Sequence, residues 1–126
     1  MLKNHKYFIF LIIWLSVIFT LSLFSFKIDA DPKLANEDKL VHLFFYFVLT
    51  VLLIKFFKKE ISIDLVNKNG LILGIIIAFT YGTIIEFLQW AFTTTRSAEW
   101  NDILANSLGI IIAIVFLKLL GKLQKS

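Results

Sequence analysis

The sequence predicts an all-α polytopic membrane protein, one domain over residues 1–126 built as a bundle of four transmembrane helices. Composition is the first observation behind this: 59% of the 126 residues are hydrophobic and 17% are charged, where a soluble domain carries about a quarter charged. Clustering is the second, because the apolar residues fall into four runs, each long enough to cross about 30 Å of hydrocarbon as a helix of roughly 17 to 25 residues. A mean hydropathy of +0.84 with a single proline excludes a disordered chain, which lacks apolar surface to bury.

Taken in order, the runs are Tyr7 to Phe26, Leu40 to Phe57, Leu71 to Phe92 and Ile103 to Leu120. The first follows Lys3 and Lys6, the setting of a signal peptide. Its apolar stretch exceeds the roughly 7 to 15 residues of one, and Ile28-Asp29-Ala30 is a poor small-residue cleavage site, so it reads as an uncleaved first helix. Short segments with helix breakers separate the runs: Asp29, Asp31 and Pro32, then Asn67, Asn69 and Gly70, then Thr93-Thr94-Thr95. Richness in β-branched and aromatic residues could suggest strands. Membrane strands alternate apolar and polar residues, however, and these runs do not.

A net charge of +4 would point to nucleic acid in a soluble protein. Here the basic residues flank the apolar runs, so topology accounts for them and no nucleic-acid partner is expected. Nine lie on one side, at the N-terminus (Lys3, Lys6), in the second connection (Lys55, Lys58, Lys59, Lys68) and at the C-terminus (Lys118, Lys122, Lys125). Four lie on the other: Lys27, Lys33, Lys39 and Arg96. Cytoplasmic segments retain the excess, which places both termini in the cytoplasm and the first and third connections outside. Cysteine is absent, so disulfides, thiol nucleophiles and thiolate metal sites are excluded.

Polar residues inside hydrocarbon cost about 2.5 to 3.5 kcal/mol each on insertion scales, so each needs a reason. Asp38 and His42 share a helix face, with Tyr46 one turn deeper. Gly74, Ala78, Gly82, Glu86, Gln89 and Thr93 form one stripe on the third run, and Asp102, Asn106, Gly109 and Ala113 one stripe on the fourth. With the topology above, the polar parts of these stripes converge on the outer half of the bundle. Glu86, about six residues before the outer end of its run, is roughly 9 Å deep at 1.5 Å per residue, the deepest charge.

Each residue has a plain reading beside a functional one. Glu86, Arg96, Asp102, Gln89 and Asn106 could hold helices together by hydrogen bonds. A deep carboxylate also needs a counter-charge or a proton, and Arg96 is the candidate counter-charge. His42 could pack helices, carry a proton or serve as a ligand, while His5 belongs to the solvated basic start. Asp38, His42, Glu86 and Asp102 are chemically suited to a metal, but no short motif fixes their geometry; no metal and no cofactor are expected. Ser97 or Ser107 beside His42 lacks the strand-turn-helix setting of a hydrolase nucleophile, and no phosphate-cradling glycine loop is present. Gly74, Ala78 and Gly82 read as close-packing positions. Phe and Trp residues, with Trp90 and Trp100 at the outer end, read as lipid contacts and interfacial anchors.

The run Asp38-Lys39-Leu40-Val41-His42 with Tyr46, then Glu86-Phe87-Leu88-Gln89, then Arg96, then Asp102 to Gly109 with Asn106 resembles the VanZ-like family in order and spacing. The resemblance covers roughly residues 10 to 117. The chain departs from the family's pattern in two places: Thr94 and Thr95 stand where a Pro or Gly often precedes the arginine, and Ala113 replaces a second glycine. What the resemblance implies is a small multi-pass protein of the bacterial plasma membrane, named for a member of a glycopeptide resistance cluster that lowers sensitivity to teicoplanin. It brings no settled biochemical activity.

Two functional readings follow. In the first, a non-enzymatic protein presents an outward-facing polar pocket of Asp38, Lys39, His42, Tyr46, Glu86, Gln89, Arg96, Asp102 and Asn106. The pocket would bind a lipid headgroup, an anionic lipid-linked envelope precursor or a lipophilic glycopeptide, with Arg96 and Lys39 holding its phosphate or carboxylate. In the second, a small membrane enzyme acts on a lipid-linked substrate with His42 and Glu86 as catalytic acid and base. A structural subunit or proton-coupled transport through Glu86 are further readings.

Overall fold

The computed structural model describes residues 5–24, 32–92 and 100–125, and for residues 24, 32–39, 92, 100–102 and 122–125 it describes the backbone alone. Its elements are α1 (Lys6–Phe24), α2 (Pro32–Lys55) running into a π-helical turn (Phe56–Glu60), a short α3 (Asp64–Lys68), α4 (Gly70–Phe92) and α5 (Trp100–Lys125). Among the described residues, four helices are long and apolar enough to cross a membrane, over Lys6–Leu23, Leu40–Glu60, Gly70–Ala91 and Ile103–Gly121. The protein is thus a four-span helical membrane protein, and among the described residues there is no strand.

Two helices outrun the apolar runs that reveal them. α2 begins at Pro32, which the sequence reading assigned to the first connection. Proline suits the first helical position, where its missing N–H has no acceptor to lose. The polar residues from Lys33 to Lys39 then carry the helix to the edge of the span. α5 starts at Trp100 and continues to Lys125, beyond the 103–120 expected. Hydropathy marks where hydrocarbon ends, and a helix need not end there. The second connection is also more ordered than its breakers suggest. Asn67 donates through Nδ2 to the carbonyls of Lys58 (2.6 Å) and Ile61 (3.2 Å), which ties α3 to the π-helical turn.

The helices run up, down, up, down, and α2 packs against each of the other three spans. α1 and α5 each pack against both α2 and α4 and make no contact with each other among the described residues. The core is built from Ile18 of α1, Tyr46, Leu49 and Leu53 of α2, Ile85 of α4 and Ile110 of α5. Outward faces such as Phe44, Phe87, Leu104 and Ile111 are exposed, as lipid-facing positions must be.

Lipid tails are as apolar as leucine, so helices in a bilayer associate through close packing and hydrogen bonds rather than hydrophobic exclusion. Small residues provide the closeness. A Cβ on Gly74 would stand 2.7 Å from Ile54 Cγ1, and one on Gly109 2.3 Å from the Leu43 carbonyl oxygen and 3.0 Å from the Phe47 nitrogen. The parallel pair α2 and α5 is therefore in backbone contact at Gly109. This agrees with the close-packing role read for Gly74, and Ala78, one turn on, is fully buried.

α1 is fastened differently, by side chains that reach backbone atoms across the interface. Trp14 Nε1 donates to the Phe45 carbonyl at 2.9 Å, and Tyr81 Oη donates to the Leu15 carbonyl at 2.7 Å. Trp14 is thus a helix fastener and not the lipid anchor that a general reading of the tryptophans implied. Trp90, at 61% exposure, fits the lipid-contact reading.

Candidate functional site

Polar side chains gather at the end of the bundle where α2 and α5 begin and α1 and α4 finish. His42 and Tyr46 lie one turn apart on α2, Glu86 and Gln89 three residues apart on α4, and Asn106 two turns into α5. Helical spacing puts each pair on one face, and each face is the one buried. All five are at most 3% exposed.

A buried polar group left unsatisfied costs about 1 to 3 kcal/mol, so the partners show how the seam is held. His42 Nδ1 lies 3.2 Å from Asn106 Oδ1, a hydrogen bond in which the Nδ1–H tautomer donates and α2 is joined to α5. Gly82 makes room where α4 meets them: a Cβ there would sit 2.9 Å from Asn106 Nδ2 and 3.2 Å from Tyr46 Cε1. Gln89 Nε2 donates to the Ser22 carbonyl at 2.8 Å. Ser22 lies in the last described turn of α1, so Gln89 ties that turn to α4 through a backbone carbonyl.

Tyr46 is fully buried, and its hydroxyl meets no hydrogen-bond partner among the described residues. Glu86 and Tyr81 are within electrostatic range of it. The seam thus combines a histidine, a carboxylate, a phenol and two carboxamides from three helices, a set that holds both hydrogen-bond donors and acceptors.

Of the nine residues expected to form one site, the structure brings these five to the same end of the bundle. Asp38 and Lys39 lie one turn before His42 on α2, and Asp102 lies in the first turn of α5, each by its backbone alone. Arg96 lies outside the described residues, and with it the expected pairing of Arg96 with Glu86. Ser107 Oγ donates to the Ile103 carbonyl of its own helix at 2.9 Å, a common arrangement for a helical serine.

Sequence reasoning passed over Glu60. It is 1% exposed at the opposite end of the bundle. Its carboxylate accepts the backbone N–H groups of Tyr7 and of Phe8, the latter at 2.9 Å. The first N–H groups of a helix have no partner of their own, and a negative charge there is favoured by the helix dipole. The available signal was weak: one acidic residue directly after Lys58 and Lys59 at the end of an apolar run.

The profile of the VanZ/LLP1 family matches residues 7–121, nearly the whole chain, and the chain belongs to that family. No curated protein and no solved structure matches it.

Proposed function

We propose, with membership of the VanZ/LLP1 family as the premise, that this multi-pass protein is a non-enzymatic component of the bacterial plasma membrane. Its polar seam engages the headgroup of a lipid or of a lipid-linked envelope precursor. That engagement changes susceptibility to lipophilic glycopeptides of the teicoplanin type. The observation that carries the reading is the seam itself: five buried polar residues from three helices converge at one end. Among the described residues, its fully buried Tyr46 hydroxyl has no hydrogen-bond partner. Apolar side chains at these positions would pack a membrane bundle at lower cost, so the seam is suited to a polar visitor.

In this reading the seam faces outward, as the nine-to-four division of basic residues argues. Arg96 and Lys39 hold the anionic part of the ligand, Arg96 through its planar fork. Glu86 and Asp102 orient Arg96, while His42, Tyr46, Gln89 and Asn106 supply hydrogen bonds.

Mass spectrometry of lipids retained by the purified protein, paired with teicoplanin susceptibility of cells expressing it, tests this. Arg96→Lys keeps the charge and loses the fork, and should weaken retention by about 1.5 to 3 kcal/mol. If Arg96→Ala combined with Glu86→Gln restores full activity, Arg96 only fastens helices and the binding reading is dropped. Conversion of a retained lipid-linked substrate, lost entirely on His42→Ala or Glu86→Gln, would favour the alternative of a membrane enzyme using these two residues as acid and base.

A further inference from the structure

At the end of the bundle opposite His42, the last turns of α2 and α5 and the first turn of α4 part to leave a cleft of about 500 Å³, within the roughly 300 to 1,000 Å³ of small-molecule sites. Its floor is apolar, with Leu71 and Leu117, and its rim carries Lys55, Lys58, Lys59 and Lys118. No ion pair among the described residues involves any of the four. The carboxylate next to them in sequence, Glu60, is committed to the N–H groups of Tyr7 and Phe8 and turned away from this duty.

The membrane-crossing segments Leu40–Glu60 and Ile103–Gly121 end here and Gly70–Ala91 begins here. The rim therefore lies where hydrocarbon gives way to headgroups. A topology signal requires lysines in these segments, but it does not require that they surround one cleft. Nor does it explain an apolar floor beneath four like charges. An amphiphile with an acyl chain and a phosphodiester answers both features, and the lysine stems can lie along the chain while their ammonium groups reach the phosphate.

We propose that this cleft seats an anionic phospholipid of the surrounding leaflet, one acyl chain on Leu71 and Leu117 and the phosphate among the four lysines. The site is separate from the polar seam, at the other end of the helices. Gly121, also in the lining, offers a way to block it without disturbing protein contacts, since a Cβ there meets nothing within 4 Å.

The test is native mass spectrometry of the full-length protein in detergent with three probes: palmitoyl-oleoyl phosphatidylglycerol, phosphatidylcholine with the same chains, and inorganic phosphate. Phosphatidylglycerol should bind at least about tenfold more tightly than phosphatidylcholine. Each Lys→Gln change at the four positions should weaken it about fivefold, the equivalent of one lysine beside an anionic headgroup. Gly121→Trp, which keeps every charge, should abolish the preference while helix content and thermal midpoint stay unchanged. Equal retention of the two lipids, an unaffected Gly121→Trp variant, or displacement of the lipid by inorganic phosphate alone would each overturn the proposal; the last would mark a free-anion site. Where a lysine variant does not fold, Gly121→Trp decides. Because Arg96→Ala tests the seam and Gly121→Trp the cleft, failure of one leaves the other standing.

Discussion

One carboxylate oxygen of Glu60 accepts the backbone N–H of Phe8 at 2.9 Å, and the other accepts that of Tyr7. Beside this contact the rings of Phe8 and Phe56 lie 5.8 Å apart, so the start of α1 is held to the π-helical turn by charge and by packing together. Glu60→Ala leaves both N–H groups to find other partners and should destabilise the fold by about 1 to 3 kcal/mol. Glu60→Gln retains one acceptor and should fall between. Reversible unfolding in mixed micelles measures the difference. Faster amide exchange confined to the first turn of α1 would locate it.

Gly109 and Gly121 should respond oppositely to the same substitution. A methyl on Gly109 would collide with the Leu43 carbonyl at 2.3 Å. Backbone cannot yield as a side-chain tip can, so Gly109→Ala should cost about 1 to 3 kcal/mol. A methyl on Gly121 meets nothing within 4 Å, and Gly121→Ala should be neutral or stabilise by up to about 1 kcal/mol through helix propensity. Thermal midpoints of the two variants in one detergent compare them directly.

His42 and Asn106 should be energetically coupled. In a double-mutant cycle of His42→Ala and Asn106→Ala, the coupling should be near 0.6 kcal/mol and no more than about 1.7, the range found for hydrogen bonds between membrane helices. Zero coupling would mean that the 3.2 Å approach contributes nothing to the pairing of α2 with α5.

Topology can be checked without removing any native thiol, because the chain contains no cysteine. Single cysteines at Lys33 or Thr94 should react with an impermeant reagent added to intact cells, and one at Asn69 should not. Labelling at Asn69 from outside would invert the orientation and place the polar seam toward the cytoplasm.

Hydropathy alone located the four spans because each run must satisfy the same physical demand, about 30 Å of hydrocarbon. It placed α4 within one residue of its observed start at Gly70. The same measure missed the eight residues from Pro32 to Lys39 that open α2, since polar helix formers continue a helix into water without leaving an apolar trace. Periodicity brought out His42, Glu86, Gln89 and Asn106, because residues that face one another across helices must each repeat at helical spacing. Glu60 obeys no such rule. Its partners are backbone N–H groups more than fifty residues away, and a backbone donor is the same in every residue type, so no pattern of side chains announces the pairing. The Gln89 contact with the Ser22 carbonyl was hidden for the same reason, although Gln89 itself stood out.

α1 is thus held near its start and at Ser22 by residues that the ribosome makes later: Glu60, and then Gln89, 67 positions after Ser22. While the nascent chain contains only α1, neither partner is there to make these contacts. Arrival of Glu60 and then Gln89 supplies them, first at one surface and then at the other. Biogenesis therefore has a direction written into it, with the earliest segment inserted as a provisional rod and locked last, at its far tip, only when α4 has been delivered. A chain that ends between these two residues and has been released into the membrane should leave α1 secured at one surface and free to pivot at the other.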